Sequence, residues 1–101
     1  MSIILNLNKN FENRIRLGIM SVLVVNDWVD FNTLKEILEV TDGNLASHIS
    51  SLESNKYIET KKQFVGKKPK TSYRATFYGR EEFQKHIDAL EDIINKQINI
   101  K

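Results

Sequence analysis

The sequence predicts a mainly α-helical fold with one small β-hairpin, in the order α-β-α-α-β-β-α. Three observations carry this. Apolar residues recur at three- and four-residue steps in four separate segments, the pattern of helices that bury one face. Two stretches of strand composition, "YIETKKQF" and "TSYRATF", flank the turn-rich "VGKKPK". The 101 residues suit one domain, read as 1–101, with a single core, and no linker or internal repeat divides them.

In the first helical segment Phe11, Ile15, Ile19, Val22 and Leu23 share a face, with Asn8 or Asn10 able to cap its start. Leu17, Met20 and Val24 make it apolar around much of its circumference, which points to the core or to a dimer interface. "WVDF", residues 28–31, has strand composition. Asn32 or Thr33 would cap a short second helix whose apolar face is Leu34, Ile37 and Leu38. A third helix should begin near Thr41 or Asp42 and run over about residues 42–55.

At about 100° per residue, Leu45, Ile49 and Leu52 of that helix form one stripe. Asn44, Ser47, Ser51 and Ser54 lie roughly opposite, with His48 at the edge. A solvated helix face usually carries Glu and Lys, which are good helix formers. This one carries small hydrogen-bonding side chains, which permit close approach to another surface and can bond phosphates or base edges.

The hairpin is expected to hold Gly66 and Pro69 in its loop, since Pro69 supplies no ladder donor. The last helix, from about residue 78 to 98 with Thr76 as a possible cap, carries Phe83, Ile87, Leu90, Ile94 and Gln97 at alternating steps of four and three. That seam suits a partner helix.

Charge is concentrated. The formal net charge is +2, yet residues 56–74 hold seven basic residues and one acidic, a local +6. An anion-binding surface and a solvated lysine-rich hairpin both fit that distribution. The element order favours the first. Two short helices joined by a tight turn form a helix-turn-helix, and a hairpin directly after the second is the wing of a winged helix-turn-helix. Lysines in the wing, about residues 64–72, would then reach phosphates beside a groove occupied by the third helix.

"TDGNLASHISSLESNKYIE" followed by "FVGKKPKTSYRATFYGREEF" resembles the winged-helix transcriptional regulators of the MarR/ArsR superfamily, and is most similar to a small stand-alone winged-helix DNA-binding family. The resemblance spans roughly residues 13–83. It implies a transcriptional regulator that binds double-stranded DNA as a homodimer with its third helix in the major groove; a cytoplasmic location is expected separately, from the lack of cysteine, signal peptide and membrane span. The positions matching the family's recognition helix are Thr41, Gly43, Asn44, Ser47, His48 and Ser51. Asn44 is suited to reading adenine through N6 and N7 together. His48 either faces DNA or packs beside Leu52. Lys67, Lys68 and Lys70 match the wing, together with Thr71. Arg74 joins that set as a secondary member, while Lys61 and Lys62 read as strand-surface charges. The expected dimer surface combines Phe11 and Ile15 with Phe83, Ile87, Leu90 and Ile94.

Other classes find little support. There is no cysteine, which excludes disulfides and the thiolate sites common in metal-sensing relatives, and His48 and His86 lack paired ligand spacing, so no metal or cofactor is expected. No phosphate-binding glycine motif or His-Glu-X-X-His is present. Glu81 and Glu82 suit the start of a helix, and Asp88, Glu91 and Asp92 a solvated face, so no enzymatic role is expected. The short apolar run at residues 3–5 does not make a signal peptide, and no membrane-spanning stretch occurs. The sequence names no small-molecule effector. The alternative function is a winged-helix protein-interaction module without DNA binding, resting on the apolar final helix.

Overall fold

A computed structural model describes residues 4–96. The chain opens with a 3₁₀ turn, Lys9–Phe11, capped by Asn8, whose Oδ1 accepts from the Asn10 N–H at 2.9 Å. Helix α1, Arg14–Leu23, starts only after Asn13, whose side chain accepts from the Ile15 and Arg16 N–H groups. Contrary to the expectation from the sequence, neither Asn8 nor Asn10 caps this helix. Asn13 satisfies two orphan donors at once and so sets the boundary. Phe11 is thereby separated from α1 and fully buried, with its ring 5.0 Å from Tyr57, 5.3 Å from Phe83 and 5.6 Å from His86.

Strand β1 is only Val29–Asp30, and helix α2, Phe31–Leu38, follows without a gap. Its cap is Asp30 rather than Asn32 or Thr33, because the Asp30 carboxylate accepts from both the N–H and the hydroxyl of Thr33. A left-handed Glu39 ends α2. Helix α3, Asp42–Ser54, is capped by the Thr41 hydroxyl and buries Leu45, Ile49 and Leu52, the stripe that periodicity predicts.

Strands β2, Ile58–Val65, and β3, Lys68–Ala75, pair antiparallel, and β1 joins the other edge of β3 through Val29 and Tyr73. The hairpin turn is only Gly66 and Lys67. Gly66 has φ +67° while Lys67 stays out of the left-handed region, which makes a type II′ turn. Lys68, Pro69 and Lys70 therefore belong to β3, not to a loop as the sequence suggests. Pro69 is tolerated because Lys68 and Val65 close the ladder, so the next pair, Pro69 and Phe64, is one that exchanges no bonds.

Thr76 caps helix α4, Phe77–Ile94. Phe77 opens that helix and is 79 % exposed instead of extending the strand alternation. The predicted extension through Gln97 to residue 98 lies outside the described residues. Arg80 ties α4 to α1 by donating to the Val24 carbonyl at 2.6 Å and the Leu23 carbonyl at 3.3 Å, satisfying the end of α1. The core joins α1, α2, α3, the sheet and Phe83 of α4. Among the described residues no helix is long and apolar enough to cross a membrane.

His86 is buried in this core, and its Nδ1 accepts the Asn8 N–H at 3.0 Å. That nitrogen must be unprotonated to accept. Burial holds His86 below its ordinary value of 6.5, against a smaller opposite pull from Glu12. The unfolded chain binds the proton more readily, so stability falls as pH drops from about 6.5 through the folded value. Urea midpoints measured between about pH 7.5 and about pH 5 are expected to decline. His86→Gln, which can accept but not titrate, should flatten that decline.

Candidate nucleic-acid interface

Helix α3 presents one face to the core, and the rest of its surface is open. Thr41, Gly43, Asn44 and Ser47 are exposed, and Ser51 and His48 are half-buried on the flank nearer α1. Gly43 has open space around it, so the helix start is free for close approach. On the other flank, Ala46, Ser50, Lys62 and Thr71 line one cleft between α3 and the hairpin. Ala46 and Ser50 are absent from the predicted set. Their signal was present in the same run of small residues, since 100° steps also turn Ser50 outward.

His48 neither packs simply beside Leu52 nor stands free. Its Nδ1 lies 3.1 Å from an Arg16 guanidinium nitrogen, and Arg16 Nε donates to the Asn10 carbonyl at 2.7 Å. Arginine can only donate, so Nδ1 is the acceptor and the remaining proton sits on Nε2. Burial first, and the Arg16 charge second, lower the His48 pKa from its ordinary value. The neutral ring thus carries an oriented donor on the α1 side of α3.

The hairpin register sorts the basic segment onto two faces. Pairing of Thr60 with Tyr73, Lys62 with Thr71 and Phe64 with Pro69 puts these residues on the face toward α3. Pairing of Glu59 with Arg74, Lys61 with Ser72, Gln63 with Lys70 and Val65 with Lys68 makes the opposite face. Lys67 occupies the turn. The lysines singled out from sequence are therefore split from Lys62, the one that shares the α3 cleft. A side-chain bond from Thr60 to Glu53 ties β2 to the end of α3.

Arg74 is engaged internally. It bonds Glu59, lies 3.6 Å from Asp27, and sits 4.5 Å over the Trp28 ring. Lys61 also lies 4.5 Å over that ring. Lys70 stands close enough to Asp30 for its charge to add to the Thr33 hydrogen bonds that lower the Asp30 pKa. Lys62, Lys67 and Lys68 are exposed. No group of three or more His, Asp or Glu side chains converges among the described residues.

The predicted dimer residues divide sharply. Phe11 and Phe83 pack on each other inside the chain's own core and cannot face a partner, a correction to the expected seam. Ile15 and Ile87 pack partly against the core, Leu90 is half-buried, and Ile94 is 78 % exposed.

A family model described as a winged helix DNA-binding domain matches residues 15–94. An uncharacterised protein of Methanocaldococcus jannaschii is 38 % identical over 79 residues, which cover 78 % of this chain and 86 % of that one. A transcriptional regulator homologue from Pyrococcus horikoshii superposes with a TM-score of 0.79 at 34 % identity over 85 % of each chain. Bacillus subtilis PadR, solved in complex with operator DNA, shares the fold, with a TM-score of 0.63 at 14 % identity over 88 % of this chain and 51 % of that one.

Proposed function

The chain belongs to the winged helix DNA-binding domain family, and from that premise we propose that it is a sequence-specific regulator of transcription that binds double-stranded DNA. Helix α3 enters the major groove, and the β2–β3 wing tracks the backbone. One observation carries this reading: the small polar face of α3 opens onto a hairpin that, beyond Glu59 near its base, holds no Asp or Glu through to its end at Ala75. A small, hydrogen-bonding helix face beside concentrated positive charge is complementary to base edges flanked by phosphates. The operator complex of a protein with this fold supports a duplex as the partner. The exposed Ile94 near the end of α4 supports a homodimer, whose twofold axis would favour half-sites about 34–36 Å apart.

Fluorescence anisotropy on a random duplex across a salt series tests the reading, because neutralising Z phosphates gives a log–log slope near −0.9Z. A clear negative slope is expected. Absence of binding at low salt would reject DNA binding and favour the protein-interaction module.

Base reading has its own test. Asn44 is exposed in the first turn of α3, where its amide can form a bidentate pair with adenine. Against a site selected from a random library, Asn44→Ala should lose about 1–3 kcal/mol of discrimination while binding to random DNA changes little. Equal losses on both would remove Asn44 from the reading residues.

A further inference from the structure

The wing ends in an exposed aromatic side chain that phosphate binding does not use. Phe64 is 74 % exposed although phenylalanine is among the residues most often fully buried. It pairs across the hairpin with Pro69, one residue before Val65 and the Gly66–Lys67 turn. Strand alternation puts Phe64 on the same face as Lys62, about 7 Å further from the α3 cleft. Phe64 therefore projects on the side of the wing that a duplex held by α3 would occupy.

Its surroundings select the partner. Lys62 shares the face of Phe64, Lys67 sits in the turn, Lys68 lies on the opposite face of the tip, and no acidic residue occurs between Glu59 and Glu81. Protein interfaces are depleted in lysine, so an aromatic flanked by lysines is poorly matched to a protein surface. It is well matched to a polyanion with stacking faces between its charges. Apolar side chains enter the minor groove as wedges that unstack a base step and kink the duplex, and pyrimidine–purine steps yield most readily.

Building on the DNA-binding reading, we infer that Phe64, backed by Pro69, is a minor-groove wedge that partly unstacks a base step next to the major groove occupied by α3. The flanking lysines hold the phosphates on either side, and the two-residue turn keeps the tip narrow enough to enter. Binding then deforms the DNA, and the wing contributes sequence preference through the ease of unstacking.

The test uses the full chain and a duplex of alternating thymine and adenine in which 2-aminopurine replaces adenine at TA steps. Wild-type protein at saturation should raise 2-aminopurine fluorescence about threefold. Phe64→Ala should bind about tenfold more weakly, with an unchanged salt slope and no fluorescence rise. Phe64→Leu, which keeps an apolar wedge, should retain part of the rise, and circular dichroism should show both variants folded. Salt-dependent binding with no fluorescence rise and equal affinity for Phe64→Ala would overturn the wedge while leaving DNA binding intact. Failure of the wild type to bind any duplex at low salt would overturn both. Loss of binding to phosphatidylserine vesicles by Phe64→Ala, with duplex binding unchanged, would overturn the wedge and assign the tip to a membrane surface.

Discussion

Gly79→Ala is expected to lower the melting temperature by about 15 °C, corresponding to about 3 kcal/mol in a domain of this size. A Cβ at position 79 would lie 2.0 Å from the Tyr57 carbonyl oxygen, 2.7 Å from its carbon and 2.9 Å from its Cα. All three are backbone atoms, so no side chain can swing aside. Either α4 or the chain leading into β2 must move, and both are pinned. The Tyr57 carbonyl accepts the Thr76 N–H at 3.0 Å, and the Thr76 hydroxyl bonds both the Gly79 N–H at 2.9 Å and the Lys56 carbonyl at 2.7 Å. On the other side, the Tyr57 ring packs on Phe11, and its hydroxyl accepts from the Asn8 amide at 3.0 Å. Thermal unfolding by circular dichroism reads the effect. Gly43→Ala is the control: that site is open, so a better helix former there should leave stability unchanged or raise it by up to about 1 kcal/mol. An unchanged melting temperature for Gly79→Ala would contradict the close packing of α4 on the start of β2.

The contrast between those glycines shows what a linear reading can and cannot reach. The buried stripe of α3 was legible because Leu45, Ile49 and Leu52 obey the helical period, and a helix face is local information. The caps were only half legible. Several Asn and Thr residues compete near each helix start, and Asn13 and Asp30 win through bonds that depend on backbone geometry. Nothing local separates Gly79, which meets the chain 22 positions earlier, from Gly43, which meets nothing.

The wing shows how one turn redistributes a candidate site. "VGKKPK" reads as a loop by composition. Because Gly66 takes φ +67° and closes the hairpin in two residues, Lys68 and Lys70 enter β3. The strand period then sends them to the face away from α3 and brings Lys62 and Thr71 into the α3 cleft. The bond between Arg16 and His48 joins residues 32 positions apart and leaves no trace in spacing. Phe11 and Phe83 leave the expected dimer seam for a related reason. Heptad-like spacing cannot distinguish a partner helix from the chain's own Phe11, and Phe83 meets Phe11.

Replacing Lys67, Lys68 and Lys70 together by alanine should weaken binding to random duplex by on the order of 100-fold at about 0.1 M salt and flatten the log–log slope by up to ~2.7. The slope follows from counterion release, since each phosphate neutralised contributes about 0.9. Lys67 and Lys68 are exposed, so their full charge is available to DNA. Lys70 is also exposed but shares part of its field with Asp30, so it should contribute the least of the three. None of the three side chains belongs to the core, and the melting temperature should hold. Lys62→Ala supplies the internal comparison. It should flatten the slope by only ~0.9, but its position in the α3 cleft couples it to groove entry. An affinity loss independent of salt in the triple variant would mean that these lysines act other than by neutralising phosphate. An unchanged slope and affinity would place the backbone contacts elsewhere, with the face of Lys62 and Thr71 the next to test.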